Sequence, residues 1–424
     1  MTRALSALAG LLLFAATVRV GLAMEPGLDY FADAGGAVDA LVRRDFDEFL
    51  AARPLMGSFS LLLRAPFVAT VFHGSESAVY LAGVLPCLLV TLVLALVLGR
   101  MAADRGQGPA VQGLVAGLAV LNPVTLRAIH WGHPEELLAG ALCVGAVLAA
   151  LRDRDLAAAV FLGLAIATKQ WAVLAIAPVL FAAPGRRLVL CGVAGTVAGA
   201  LTVPFMLADP GSFGAVASAA SGQDSLAAST TPWNVWWPIS SLASVGEMAP
   251  RYFAPEWVAD LSHPLIVAVA LPLSMLLWRR KDRRPDDALL LLALLLLLRC
   301  VLDNWSNDYY HVPMMLALLA WETVRRPGVP RLTIGVGLAL AISFWPDLDQ
   351  IFAGSREHAA VLNAVYLGWT VPLAGWLGLM LFRPAAAEAL AARLSALRPG
   401  GAQPPERRAE SARLSTHSPT EPAM

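Results

Sequence analysis

Apolar residues run along this chain in long blocks separated by short polar punctuation. Blocks lie at residues 4–23, 78–99, 110–129, 136–151, 156–168, 171–183, 188–207, 262–278, 287–302, 311–324, 332–346 and 360–381. They carry few charges and do not alternate with period two. Such stretches are apolar on every side, so they predict helices surrounded by lipid or by other helices. Between Arg154 and Arg186 the apolar stretch is too long for one span and short for two. The pattern predicts a short helical pair broken at Thr168-Lys169-Gln170. Breaks at membrane depth are tolerated where protein or a watery cavity covers them.

The basic punctuation orients the chain. Short Arg-rich loops at residues 100–105, 152–155, 186–187, 279–284 and 325–331 are expected in the cytoplasm. An even number of crossings must separate each from the next, and the blocks satisfy this with both termini inside. The threading leaves 21 of the 31 Lys and Arg residues inside and 20 of the 31 Asp and Glu residues outside. The block at 4–23 is then an uncleaved first helix rather than a signal peptide.

The polar segments complete the layout. Residues 24–77 form a long outer loop, acidic at first and then amphipathic from Pro54 to Phe72, expected along the membrane surface. Residues 208–261 form a second, with Thr231-Pro-Trp-Asn-Val-Trp-Trp-Pro, whose tryptophans suit an interfacial belt ahead of stacking on a sugar. The expected architecture is an all-α polytopic membrane protein, a bundle of about twelve transmembrane helices. Amphipathic surface helices are expected in its first outer loop. Residues 1–382 make one transmembrane domain. Residues 383–424 read as a cytoplasmic, largely disordered tail.

Composition narrows the class. The chain of 424 residues is 58% hydrophobic and 15% charged, with a formal net charge of zero. That balance excludes a disordered chain and a nucleic-acid binder relying on a basic surface. Four cysteines, Cys87, Cys143, Cys191 and Cys300, sit inside apolar blocks without ligand-like spacing, so neither a disulfide framework nor a thiolate metal site is expected. Only two lysines occur, Lys169 and Lys281, which singles out Lys169 between two apolar helices.

Four groups could carry chemistry. Asp29 and Asp33 follow the first helix, where a carboxylate beside a cavity could take a proton from a hydroxyl. A solvated acidic loop is the competing reading. His130-Trp-Gly-His133-Pro-Glu135-Glu136 joins two spans at the outer face. His133 and Glu135 could bind a sugar, or the segment could be a polar turn that starts a helix. It matches no strong zinc pattern, and no metal or other cofactor is expected. Lys169, with Arg127 and Arg299 near outer helix ends, could hold a phosphate, or each could snorkel. Tyr309, Tyr310 and His311 open a helix at the same level; His311 could assist the base or bind phosphate, or the segment could be a capped helix start with interfacial tyrosines.

Five segments in order resemble the GT-C superfamily of polyprenyl-phosphate-sugar glycosyltransferases, and within it glycosyltransferase family 87, an α-mannosyltransferase-like group. They are Gly27-Leu-Asp29-Tyr30, Arg53-Pro54 to Leu63-Arg-Ala-Pro66, Trp131-Gly-His133-Pro-Glu135-Glu136, Leu162 to Trp171 around Lys169, and Leu302-Asp303 to Pro313. The resemblance implies an inverting transfer of a hexose, mannose by preference, outside the cytoplasmic membrane. Asp29 would be the base, with Asp33 as its substitute. Lys169, Arg127, Arg299 and His311 would hold the donor phosphate, and His133, Glu135, Tyr309 and Tyr310 the sugar or acceptor. The implied partners are a polyprenyl-phosphate-sugar donor, a lipid or glycan acceptor and membrane lipids, with no nucleic acid. A multi-pass transporter is the alternative. A sensor or a metal-dependent hydrolase explains fewer of these residues.

Overall fold

The computed structural model describes residues 28–51, 56–183, 185–208, 229–243, 251–344 and 355–396, with scattered positions elsewhere. The predicted first span at 4–23, Arg53-Pro54 and most of the tail lie outside the described residues. The fold is helical nearly throughout. After a turn at Leu28–Tyr30 and a π-helical turn at Phe31–Gly35 come α1 (Gly36–Arg43), α2 (Phe46–Ala51) and α3 (Ser58–Ala69). Short helices thus fill most of the described part of residues 28–69. The bundle then builds from α4 (Glu76–Asp104), α5 (Pro109–Val120), α6 (Pro123–Trp131), α7 (Pro134–Ala150), α8 (Asp155–Thr168), α9 (Ile176–Ala182) and α10 (Arg187–Ala208). It closes with α11 (Glu256–Arg279), α12 (Asp287–Leu302), α13 (Val312–Arg325), α14 (Arg331–Ser343), α15 (Arg356–Phe382) and α16 (Pro384–Ala396).

Burial sorts these helices. Helices α7, α12 and α13 are buried on almost every side, so their all-round apolar sequences pack against protein. Helices α10 and α11 expose Leu188, Val189, Leu207 and Leu271, an apolar surface suited to lipid. Five stretches are long and apolar enough to cross a membrane: α4, α5 with α6, α10, α11 and α15. Close helix contacts use glycine. A Cβ on Gly140 of α7 would lie 3.0 Å from Pro313 Cα of α13.

Five local details differ from the expectation or refine it. The block at 110–129 breaks at Asn122, whose Oδ1 accepts from Thr125 N at 3.0 Å and caps α6 ahead of Pro123. The helix before Lys169 ends at Thr168; Lys169 is extended, and a 3-10 turn at Gln170–Ala175 leads into α9. The Trp-rich loop is not an interfacial belt at Trp233 and Trp237, which are buried. Trp233 Nε1 donates to Ser343 O at 3.0 Å and Trp236 Nε1 to Leu302 O at 2.6 Å, so these indoles serve carbonyls at helix ends. A two-stranded antiparallel sheet follows, β1 (Ser241–Ala243) and β2 (Arg251–Phe253), with Leu242 opposite Tyr252. The predicted irregular tail begins as α16, because its alanine-rich start has high helix propensity.

Candidate functional site

The site begins with a tight helical corner. Helix α6 ends at Gly132, whose φ of 86° is open to glycine at little cost. His133 N closes the turn on Ala128 O at 2.8 Å, and Pro134 starts α7. The corner seats His133 just before α7 and puts Glu135 and Glu136 in its first turn, where the helix dipole favours carboxylates. Gly132 also makes room for the first loop: a Cβ there would lie 2.6 Å from Tyr30 N. From α4, Gly83 clears space for the Tyr30 ring, with Cζ 2.5 Å from where its Cβ would be. Tyr30 is thereby clamped, and Asp29 beside it is carried to the corner. The π-helical turn after Tyr30 adds a residue to the winding, a device common at functional positions.

Glu135 and Glu136 are fully buried, and buried charge persists only when paired. Glu135 takes three partners: Arg64 Nη2 of α3 at 2.9 Å, Lys169 Nζ at 3.0 Å and His133 Nδ1 at 2.8 Å. Glu136 meets Trp171 Nε1 at 3.2 Å, Arg299 Nη1 of α12 at 3.5 Å and Lys169 Nζ at 3.7 Å. Arg299 lies between aromatic faces, its Cζ 4.9 Å from the Trp171 ring and 4.5 Å from that of Tyr310. Arg64 sits 5.4 Å from the Tyr30 ring. Helix α3, the corner, the helix break and α12 are thus joined through two adjacent carboxylates.

Asp29 is the open acid of the group. Its side chain is 47% exposed, and one oxygen lies 3.3 Å from His133 Nε2. Burial alone would push the His133 imidazole down, but the Glu135 carboxylate and hydrogen bonds to Asp29 and Glu135 outweigh it and lift it to about 9. Asp33, in the π-helical turn, is half-buried; burial pushes its carboxyl up and the charge of His133 offsets part of that. Tyr309 stacks on His133 with ring centroids 4.4 Å apart, and its hydroxyl accepts from Asn307 Nδ2 at 3.0 Å.

The structure therefore gathers Asp29, Asp33, His133, Glu135, Lys169, Arg299, Tyr309 and Tyr310 at one place. Two of the sequence-predicted residues stand apart. Arg127 pairs with Asp308 and lies 5.6 Å from the Trp131 ring. His311 is buried with both ring nitrogens engaged: Nδ1 donates to Asn307 O and Asp308 O, each at 3.1 Å, and Nε2 accepts from the Tyr366 hydroxyl at 2.9 Å. It fastens the 3-10 turn Asp308–His311 to α15. Sequence reasoning assigned no role to Arg64, Glu136 or Trp171. The signal for Arg64 was a cation in an apolar stretch, Ser-Leu-Leu-Leu-Arg. Lys169 has more partners than foreseen, since two carboxylates already hold its ammonium. Among the described residues, no group of three or more His, Cys, Asp and Glu side chains could hold a metal ion.

A polar, ion-paired cluster at one end of an apolar helical bundle, with an exposed carboxylate at its edge, defines a membrane protein with a candidate active site. The model of glycosyltransferase family 87 matches residues 57–302, more than half of the chain, and the chain belongs to that family. It is a membrane glycosyltransferase. The matched stretch holds Arg64, His133, Glu135, Glu136, Lys169, Trp171 and Arg299, while Asp29, Asp33, Tyr309 and Tyr310 lie outside it. No curated protein matches the chain.

Proposed function

We propose that this glycosyltransferase moves a hexose, mannose by preference, from a polyprenyl-phosphate donor to a lipid or glycan acceptor. The transfer is inverting and takes place outside the cytoplasmic membrane, with twelve crossings and both termini inside. Asp29 is the base. The acceptor O–H bond breaks and its proton goes to the Asp29 carboxylate. The acceptor oxygen bonds the anomeric carbon as the bond from that carbon to phosphate oxygen breaks. Polyprenyl phosphate leaves with the electron pair. The observation that carries this reading is the half-exposed Asp29 beside a buried cluster of cations.

A phosphate leaving group needs positive charge more than it needs an acid. Lys169 lies within hydrogen-bond reach of Glu135 at 3.0 Å, while Glu136 at 3.7 Å is an ion-pair contact only, so its three-donor ammonium keeps donors for phosphate. Arg299, held rigid between two rings, keeps Glu136 from neutralising Lys169 fully. The sugar is then bound at the Asp29 edge of the site, which the mutually stacked rings of Tyr309 and His133 line. Asp33, whose carboxyl burial pushes up while the charge of His133 offsets part of that, is a proton acceptor held in reserve rather than the first base. No cofactor is needed, and a chelator is expected to leave the rate unchanged.

The test is a reconstituted assay with polyprenyl-phosphate mannose and a panel of lipid acceptors. Asp29→Asn should lower kcat by about 10²- to 10⁴-fold, the usual worth of a general base. Asp33→Asn should cost about tenfold or less. If the two effects are reversed, Asp33 is the base. Full activity in both variants would remove the first loop from the chemistry.

A further inference from the structure

Both ring nitrogens of His133 face carboxylate oxygens: Nδ1 lies 2.8 Å from Glu135 and Nε2 lies 3.3 Å from Asp29. A carboxylate only accepts hydrogen bonds, and a neutral imidazole carries one N–H. Only the imidazolium can donate to both acids at once. We propose that His133 is a positioning residue that works as an imidazolium, tying the exposed carboxylate of Asp29 to the buried Glu135 and so aiming it at the acceptor. This rests on Asp29 being the base.

The surroundings fit the role. Four sets of groups face His133. The loop helix brings Asp29 and Asp33, and α7 brings Glu135. The helix break brings Lys169, and the 3-10 turn stacks Tyr309 on the ring. Glu135 is itself fixed by Arg64 and Lys169, so the far end of the strut cannot move. The Tyr309 face prevents the ring from tilting. Asp29, being half-exposed and lacking another protein partner at its Oδ2 among the described hydrogen bonds, depends on His133 for its orientation. Loss of the second proton turns one of the two contacts into a meeting of acceptors. The rate of transfer should therefore fall as pH rises through about 9, where His133 deprotonates.

The experiment measures kcat and KM against pH for the full-length wild type, His133→Gln, His133→Ala and Asp29→Asn in proteoliposomes. A glutamine amide still donates to one acid but has no proton to lose. His133→Gln should lower kcat about tenfold with donor KM within about threefold, and its profile should lack the fall near pH 9. His133→Ala should lower kcat about a hundredfold. In the wild type, nitrogen NMR of labelled histidine should find one of the seven imidazoles doubly protonated up to about pH 9. That measurement stands even if the alanine variant does not fold. An unchanged alkaline limb in His133→Gln, or no imidazolium persisting above about pH 8, overturns the positioning role while Asp29→Asn, if inactive, keeps its standing as the base. Full activity in Asp29→Asn overturns both.

Discussion

Glu135 sets the energetics of the site at the scale of single residues. It is closed to solvent and meets Arg64, Lys169 and His133, which come from three separate parts of the chain. Removing one partner of a buried pair costs about 3–5 kcal/mol, because the other charge remains in a medium that cannot solvate it. Arg64→Met should lie at the lower end of that range, since Lys169 and His133 remain to balance Glu135. Thermal unfolding in detergent reads it directly, and a melting temperature unchanged from wild type would show that Arg64 is not held as a buried partner. Some of this was legible beforehand. Asp29, His133 and Glu135 stood out at the ends of apolar blocks, and Lys169 between two of them. What stayed hidden was who pairs with whom. Arg64 and Glu135 are 71 positions apart. Periodicity along the chain carries no information about such a partner. Lys169 therefore read as a cation that holds phosphate or snorkels, when two carboxylates already engage it.

Helices and their corners show a different kind of legibility. Apolar blocks placed the bundle helices well, because a helix surrounded by lipid or protein must be apolar along its length. The break at Lys169 could be read from length and the parity of basic loops. The Trp-rich loop could not. Its indoles have the composition of an interfacial belt, and only tertiary structure puts Trp233 against Ser343 of α14 and Asn363 of α15 against Pro232 O at 2.7 Å. The corner at Gly132 is the element on which the site depends most. It combines a positive φ with a close approach to Tyr30, so a side chain there meets strain and a clash together. Gly132→Ala should lower both stability and kcat, the latter about tenfold or more, by moving His133 away from Asp29. Gly117→Ala in α5, where an added Cβ meets nothing within 4 Å, should leave both unchanged. Turnover and melting temperature measured on the two variants side by side check the contrast. Equal behaviour would mean that the corner tolerates displacement.

The whole molecule has two unlike ends. At one, Tyr30, Gly83 and Gly132 meet around the acid-rich site. At the other, arginines take carbonyls at the C-termini of helices: Arg105 Nη1 donates to Thr323 O of α13 at 2.8 Å, and Arg280 donates to Leu381 O of α15. Cations there complement the negative ends of helix dipoles. The same loops hold the excess of arginine that the positive-inside rule assigns to the cytoplasm. If α4, the α5–α6 pair and α7 each cross the membrane, His73 and Arg152 are three crossings apart and must lie on opposite sides. Both are exposed, at the two ends of that stretch. In a background with Cys191, an exposed cysteine, changed to serine, His73→Cys should react with a membrane-impermeant maleimide in right-side-out vesicles. Arg152→Cys should react only after permeabilisation. Labelling of both from the same side would take one crossing out of the α4–α7 segment. Labelling of Arg152→Cys alone from outside would turn the molecule over and put Asp29, His133 and Lys169 in the cytoplasm, where a polyprenyl-phosphate sugar presented at the outer face could not reach them.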